Sequence, residues 1–308
     1  MSLWEQINQP VSYAIPFFVL AMVLEIAALR GHDDDRKGYD KVDARSSLLM
    51  GAVSVFISGA AKFGALLVYA VLYVHAPWHI DPRNPLSWVA VMLGVDLLWY
   101  CYHRISHRVR LIWAAHQVHH NSQYFNYATA LRQKWNPWFE LMFWLPLPLL
   151  GVPPWMIFTA WSFNLVYQFW VHTEAIGKLP RWFEFVFNTP SHHRVHHASD
   201  QEYLDRNYGG ILILWDRVFG TFRAETFRPT YGLTKNIESA NLLTLQYYQF
   251  GELWRDLRST RRARHWLGYT FGPPGWRPEP MAANTIHSSS PTAVAATPIQ
   301  QTSDQPPA

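Results

Sequence analysis

Histidine is concentrated in one part of this chain, at spacings that suit metal binding. Ten of the fifteen histidines fall between residues 103 and 197. Neutral imidazole is a preferred ligand of borderline transition metals, and ten rings are more than one mononuclear site can use. They form three clusters and one single residue: His103 and His107; His116, His119 and His120; His172; and His192, His193, His196 and His197.

The spacing within each cluster suits a helix. Residues three and four apart lie on one helical face, so His103 and His107 can aim their rings at one point, as the rings of the second cluster can. In the last cluster, the adjacent residues His192 and His193 point about 100° apart on a helix. We therefore take His192 as an additional ligand or as a residue that supports one, and the other three as ligands.

Other residue types narrow the chemistry. The only cysteine is Cys101, which excludes thiolate zinc fingers and iron–sulfur clusters. No Glu-x-x-His motif occurs, although soluble di-iron bundles use it. The sequence has neither a phosphate-binding glycine loop nor a dinucleotide fingerprint, and no nucleic-acid partner is expected. If two metal ions bind, imidazoles hold them.

Three apolar stretches are long enough to cross a membrane. Residues 11–29 carry one charge in nineteen positions, a helical length of about 28 Å. Residues 47–74 are apolar apart from Lys62, and residues 86–102 run directly into His103. No basic segment precedes the first stretch and no cleavage pattern follows it, so we interpret it as a span and not as a signal peptide.

The basic residues orient these spans. Residues 30–46 contain five basic residues, the first ten residues contain none, and residues 75–85 contain only Arg83. The positive-inside rule places the 30–46 connection in the cytoplasm. Three crossings then leave His103 at the cytoplasmic face.

Two further apolar stretches predict a membrane hairpin. Residues 138–150 and 155–171 are separated by a strong turn signal at residues 151–154. A hairpin that enters and returns places His172 on the same side as the other clusters. The first arm contains two internal prolines, so we expect a kinked or partial insertion there.

The sequence thus predicts an all-α fold, a multi-pass membrane helix bundle with a cytosolic histidine-rich metal-binding cap. Its 308 residues, 49% of them hydrophobic, are compatible with a large buried surface.

The basic end of the C-terminal helix is either solvated or a contact for anionic lipid head groups. The predicted segments are N-terminal transmembrane helices (1–85), a catalytic domain with the histidine clusters (86–235, including the hairpin 138–171 and a cytosolic cap 198–235), a C-terminal helix (236–271) and a disordered tail (272–308).

Asp96 is a further candidate site residue. It lies inside the third apolar stretch, seven residues before His103 and on the same helical face. An unpaired carboxylate is costly inside a membrane. Two roles stay open: accepting a hydrogen bond from the second nitrogen of a metal-binding histidine, or making an ordinary buried hydrogen bond.

Several motifs occur together in an order that is typical of one enzyme superfamily. They are DLLWYCYHRISH at 96–107, WAAHQVHH at 113–120, TALRQ at 129–133 and NTPSHHRVHH at 188–197, followed by NYGG and WDRVFGTF. Over residues 86–223 the chain resembles the fatty acid hydroxylase and sterol desaturase superfamily of membrane di-iron enzymes. Residues 129–133 and 188–222 most resemble its alkylglycerol monooxygenases and bacterial sterol desaturase-like proteins.

The resemblance implies a metal site. In the superfamily, eight histidines of these clusters bind the metals, and a histidine between the second and third clusters often joins them. The implied cofactor is a pair of iron ions, for which zinc can substitute on purification. The corresponding residues here are His103, His107, His116, His119, His120, His193, His196 and His197, with His172 as the ninth.

The resemblance also implies a reaction, in which O2 is used to hydroxylate or desaturate a lipid such as an alkylglycerol, a fatty acyl chain or a sterol. Because no flavin, haem or nicotinamide motif is visible, electrons must come from an external donor: ferredoxin, cytochrome b5 or a reduced pterin. Two alternatives stay open, a zinc-binding membrane protein without redox chemistry and a metal transporter. A transporter would hold ionisable ligands deep within its spans, whereas these histidines are predicted at span ends.

Overall fold

The computed structural model describes residues 3–30 and 38–278, with side chains from Pro10 onward in the first range. The described residues form thirteen α-helices and no β-strand, so the predicted all-α class is confirmed. The helices are α1 (Leu3–Leu29), α2 (Lys41–Val74), α3 (Pro85–Arg108), α4 (Arg110–His120), α5 (Tyr127–Ala130), α6 (Trp138–Phe143), α7 (Pro146–Leu149), α8 (Pro154–Trp170), α9 (Arg181–Val186), α10 (Pro190–His196), α11 (Leu214–Val218), α12 (Leu242–Arg258) and α13 (Ala263–Phe271).

Three helices are long and apolar enough to cross a membrane: α1 over Pro10–Leu29, α2 and α3. α2 begins at Lys41 because the Asp40 carboxylate accepts hydrogen bonds from two backbone nitrogens of the first turn. α3 begins with Pro85, a residue suited to the first helical position, and continues to Arg108. The third apolar stretch and the first histidine cluster therefore share one helix.

The predicted hairpin of residues 138–171 has a broken arm and a continuous arm. The first arm is divided into α6 and α7, as its prolines lead us to expect, and the second is the 17-residue helix α8. Between them Gly151 has a φ of +74°, and a Cβ there would lie 2.0 Å from the Trp78 carbonyl oxygen. The tip of the hairpin thus packs on the α2–α3 connection, and α8 returns toward the histidine end of α3.

The core of the bundle lies between α2, α3, α8 and the broken arm. Its buried side chains include Tyr69, Trp99, Trp144 and Trp161. Lys62, which interrupts the second apolar stretch, is buried with its Nζ atom 4.5 Å from the Trp161 ring centroid, a contact that stabilises a buried ammonium group. This core holds α3 and α8 together, so the histidines at their ends are neighbours.

The segment predicted as one C-terminal helix contains two. After α12, the Ser259 hydroxyl donates a hydrogen bond to the Asp256 carbonyl oxygen at 2.7 Å, and the Thr260 hydroxyl accepts one from Arg262 N at 3.2 Å. Such local side-chain bonds compete with helix continuation. α12 packs along α4 and α13 packs on both.

The first residues of the predicted disordered tail, 272–308, have a defined structure. Residues 272–278 pack on the bundle, where Trp276 meets Tyr269 edge-on with ring centroids 5.2 Å apart. A large aromatic contact of this kind offsets the entropy lost on ordering. Residues 279–308 lie outside the described residues.

Candidate metal centre

Nine of the ten clustered histidines come together in two groups at one end of the bundle. Within each group the candidate ligand atoms all lie within 4.8 Å of one another, and every residue is buried except His119, which is half-buried. Among the described residues, neither group includes a carboxylate or a thiolate. The first group is His103, His107, His116, His120 and His196, and the second is His119, His172, His193 and His197.

Helix geometry builds the first group. His103 and His107 are four residues apart near the end of α3, and His116 and His120 are four residues apart on α4. Because residues four apart share a helical face, each helix presents two rings. His196 of α10 completes the group, with its ring centroid 4.3 Å from that of His103 and 4.8 Å from that of His120.

The second group combines α4, α10 and the end of α8. His172 follows α8, and its Nε2 atom lies 3.2 Å from Nε2 of His119 and 2.9 Å from Nε2 of His193. His197, directly after α10, is four residues from His193. Ring nitrogens that face each other at such distances are placed to share one bound cation.

The second and third histidine clusters are each divided between the two groups, although the spacing of the second predicts convergence on one point. In the second cluster, His119 belongs to the second group, while His116 and His120 belong to the first. In the third cluster, His196 belongs to the first group, while His193 and His197 belong to the second. Residues four apart differ by about 40° around a helix axis, whereas adjacent residues differ by about 100°. The i, i+4 pairs therefore stay together and the odd residue turns to the other group.

The two groups adjoin. The rings of His120 and His197, one from each group, are stacked with centroids 4.3 Å apart. The rings of His196 and His193 are 5.2 Å apart in the same way. α4 and α10 each contribute to both groups, so the arrangement has the form of a binuclear centre.

Backbone carbonyl groups hold four of the rings by one nitrogen. In each case Nδ1 lies within hydrogen-bond distance of a carbonyl oxygen. Because a carbonyl oxygen only accepts, Nδ1 carries the proton and Nε2 keeps a free lone pair. The pairs are His103 with Tyr208 (2.9 Å), His119 with Arg132 (3.3 Å), His172 with Gln168 (2.7 Å) and His196 with Arg206 (3.0 Å).

Five buried ring nitrogens have no hydrogen-bond partner among the described residues: Nε2 of His103, His107, His196 and His197, and Nδ1 of His193. Buried polar atoms are normally hydrogen-bonded, and an unpaired one costs about 1–3 kcal/mol. Metal ions coordinated by the four Nε2 lone pairs would remove that cost for those atoms, whereas His193 turns its Nε2 toward His172. The residues therefore fit two transition-metal ions with imidazole ligands.

Burial keeps the rings in the neutral, metal-binding form. It lowers the pKa of His172 to about 3 and that of His196 to about 4, although in each a hydrogen bond to a backbone carbonyl acts in the opposite direction. Burial and then the neighbouring imidazoles hold the pKa of His116 and His197 well below the usual range.

The loop around residues 205–208 supplies two of the acceptor carbonyls. Asp205 and Asn207 have φ values of +60° and +54°, a region that residues other than glycine rarely occupy. This backbone directs the carbonyls of Arg206 and Tyr208 toward the first histidine group. Strained backbone of this kind is typical of functional sites.

Asp96 contacts the backbone near this loop and no histidine. Its carboxylate accepts hydrogen bonds from Ile211 N (2.7 Å), Leu212 N (3.0 Å), the Trp215 indole (2.9 Å) and the Asn164 side chain (2.7 Å). Of its two predicted roles, direct orientation of a ring is therefore wrong and ordinary buried hydrogen bonding is observed. The reason is that both carboxylate oxygens already accept hydrogen bonds from the 211–215 segment and from Asn164.

A second buried aspartate, which the sequence reasoning missed, fixes the same loop. Asp216 accepts hydrogen bonds from Tyr208 N (2.8 Å), Gly209 N (2.7 Å) and the Thr221 hydroxyl (2.6 Å). Its spacing from the histidines forms no pattern. The signal that could have revealed it is a lone carboxylate next to the apolar run ILILW.

His192 lies outside both groups. Its Nδ1 atom is 3.3 Å from the Thr189 hydroxyl, and its ring faces Phe222 with centroids 5.4 Å apart. Its backbone carbonyl accepts a hydrogen bond from the Asn207 side chain at 3.1 Å, so its main chain supports the strained loop. His75, His79 and His265 also lie outside the groups, and His32 and His287 fall outside the described residues.

Aromatic side chains wall the two groups. Trp113 packs against His107 and His120, with ring centroids 5.0 Å and 5.7 Å away. Phe125 stacks on His172 at 5.7 Å. Such walls limit the access of water and lower the local dielectric constant.

A comparison with known protein families finds a match that covers the two histidine groups. Residues 88–221 match the family model described as Fatty acid hydroxylase. The match begins in α3 and ends beyond α11, so it contains all nine grouped histidines. This part of the chain thus matches the fatty acid hydroxylase family, and the resemblance inferred from the motifs is confirmed.

The chain is also similar to individual curated proteins, whose names describe particular enzymes. The chain is 36% identical to alkylglycerol monooxygenase of Homo sapiens over 288 residues, which cover 89% of this chain and 61% of the relative. It is 35% identical to that of Danio rerio over 279 residues, with the same two coverages. Ornithine lipid hydroxylase OlsE of Rhizobium tropici is 27% identical over 199 residues, 58% of this chain and 56% of the relative. The chain thus spans about three fifths of the length of the curated relatives it matches. No solved structure gives a significant match.

Proposed function

We propose that this chain is a membrane di-iron enzyme that uses O2 to hydroxylate a lipid. The observation that carries the proposal is the convergence of nine imidazoles in two adjoining groups, with ring nitrogens that have no other partner among the described residues. Bound there, two iron ions supply O2 activation and oxidation of an unactivated C–H bond. The names of the relatives, monooxygenase and lipid hydroxylase, support the same reaction class.

The choice of iron rests on the reaction and not on the ligands. Imidazole suits iron and zinc alike, but zinc has no redox chemistry. One ion would be held by the five-histidine group and the other by the four-histidine group. Zinc found in purified protein would therefore count as a substitute.

The protein's own residues position and protect these ligands. The carbonyls of Tyr208, Arg206 and Gln168 accept the Nδ1 protons, which fixes each ring's tautomer and rotation and leaves Nε2 available. Trp113 and Phe125 exclude water from the reacting atoms. No reductant motif occurs in the sequence, so we propose an external donor, a ferredoxin, cytochrome b5 or a reduced pterin.

We propose that α1, α2 and α3 cross the membrane and that both histidine groups lie at the cytoplasmic face. The five basic residues of the 30–46 segment support this orientation. The return of α8 from the α2–α3 connection supports a shared side for His172 and the other ligands. A lipid chain can then reach the site without leaving the bilayer.

The substrate we propose is an alkylglycerol first, and a fatty acyl chain or sterol otherwise. The test is reconstitution of the purified full-length chain with ferrous iron, O2 and a reductant, followed by mass spectrometry of added lipids of each kind. A gain of one oxygen identifies hydroxylation, and a loss of two hydrogens identifies desaturation. Iron-loaded protein that oxidises none of these lipids would contradict the proposal.

A matched pair of variants ties the activity to the site. His119→Ala removes a ring of the second group and should abolish product and lower the iron content. His192→Ala removes a neighbouring buried ring outside both groups, and it should retain the iron content. Full turnover in His119→Ala would exclude that ring from the centre. Metal flux into vesicles without lipid oxidation would favour a transporter instead.

A further inference from the structure

Four large apolar side chains are exposed on the short helices α9 and α11 and on the residue that follows α11. The exposed fraction is 70% for Trp182, 57% for Phe185, 70% for Val218 and 47% for Phe219. The two helices are neighbours, since their flanking residues pair in an isolated bridge. We call these four side chains the α9–α11 surface. Exposed apolar surfaces of this kind are normally covered by lipid or by a partner.

The α9–α11 surface lies beside the middle of α3. Residues 211–215 are fastened to Asp96 by three hydrogen bonds. Asp96 is eleven residues after the first residue of α3 and twelve before the last, which is about 16 Å and 18 Å along the axis. One turn further along α3, Tyr100 stacks on Phe219 with ring centroids 5.2 Å apart. If α3 crosses the membrane, this segment lies at hydrocarbon depth.

Non-helical backbone at that depth must find its hydrogen bonds within the protein, and this loop does so. Asp96 and Asp216 each accept bonds from two backbone N–H groups. The Asn188 side chain donates to the carbonyls of Gly209 (2.8 Å) and Gly210 (3.2 Å). Gly210 permits the close approach, because a Cβ there would lie 2.9 Å from an Asp96 carboxylate oxygen. The buried polar residues thus replace water for the backbone.

Basic side chains border the surface. The Arg217 guanidinium carbon lies 4.7 Å from the ring centroid of Phe185 and 3.7 Å from that of Phe222, and Arg181 is exposed at the start of α9. Arginine with its stem on apolar groups and its charge at the edge suits a boundary between acyl chains and phosphate head groups. Leu93 of α3, three residues before Asp96, is also exposed.

From these contacts we propose that the α9–α11 surface is embedded in the bilayer and contacts lipid acyl chains, and is not part of a cytosolic cap. This inference rests on the proposed crossing of α3. Tyr100 is three residues before His103, so lipid at this surface lies within one helical turn of the first histidine group. The occupant is bilayer lipid, because the surface is attached beside the middle of a predicted span and has an arginine at its edge.

The test is collision accessibility of spin labels on the full-length chain in phospholipid bilayers. In a Cys101→Ser background, single labels are placed through Trp182→Cys and, as a second site, Val218→Cys. Leu93→Cys on α3 is the lipid control, and Glu202→Cys in the exposed turn after the third histidine cluster is the aqueous control. Each label is exposed to O2, which concentrates in lipid, and to a neutral water-soluble nickel chelate.

We expect Trp182→Cys and Val218→Cys to match Leu93→Cys, with a ratio of O2 to nickel accessibility several-fold above that of Glu202→Cys. Ratios equal to that of Glu202→Cys, while Leu93→Cys reports lipid, would overturn the inference and leave the membrane crossing intact. Low accessibility to both reagents would also overturn it, since a protein partner would then cover the surface. If Leu93→Cys reports water, the proposed crossing itself is wrong.

Discussion

Replacing Asp96 with alanine should destabilise the protein and release metal. The carboxylate accepts four hydrogen bonds, two of them from backbone N–H groups. A hydrogen bond to a charged group contributes about 1.5–3 kcal/mol, and a buried donor left unpaired costs about 1–3 kcal/mol. The four bonds share one acceptor and are not additive, so we expect the free energy of unfolding to fall by about 3–5 kcal/mol.

The loss of metal has a defined route. Without its anchor on α3, the 211–215 segment loosens, and the Tyr208 carbonyl no longer fixes Nδ1 of His103. Wild type, Asp96→Ala and the surface control Glu202→Ala are compared for iron per chain, for denaturant unfolding and for recovery in the membrane fraction. We expect Asp96→Ala to lose iron and stability while it still enters the membrane. If its iron content and unfolding midpoint equal those of Glu202→Ala, the reasoning from Asp96 to His103 is refuted.

Three further predictions follow from the structure. Metal-free protein should lose stability below about pH 6.5. In the folded state the pKa of His172 is about 3 and that of His196 about 4, below the ordinary value of 6.5. As the pH falls, the unfolded chain therefore binds protons before the folded protein does, which favours unfolding. The loss is about 1.4 kcal/mol per ring per pH unit until the folded pKa is reached, and an unfolding free energy that stays flat from pH 7 to 5 in the presence of a chelator would contradict it. Gly210→Ala should lower iron content and the unfolding midpoint, since its Cβ would lie 2.8 Å from the Trp99 ring; a variant with wild-type values would show that the loop has room. Arg262→Gln combined with Arg264→Gln, both exposed, should reduce the anionic lipid that copurifies and leave neutral lipid unchanged, and an unchanged lipid profile would identify a solvated helix end.

The histidines that come together could be predicted from the sequence because their geometry is local. An i, i+4 pair such as His103 and His107 converges whatever the rest of the fold does. The single His172 needed one further step, the return of a hairpin, which its turn signal supplied. Both steps depend only on helix periodicity and on the number of passages.

The division of the rings into two groups could not be predicted in the same way. It depends on how α4 and α10 are rotated about their axes, which tertiary packing decides. The partners of Asp96 lie up to 119 residues away in the chain, so no spacing rule could connect them. A buried carboxylate signals that a partner exists but does not identify it, and here the partner is a backbone loop and not a ring.

The spread of the ligands along the chain has a consequence for biogenesis. Four of the five rings of the first group lie between residues 103 and 120, whereas three of the four rings of the second group lie between residues 172 and 197. The nascent polypeptide therefore acquires most of the first group well before the second. A product that ended before the third cluster would leave both groups incomplete, because His196 belongs to the first and His193 and His197 belong to the second.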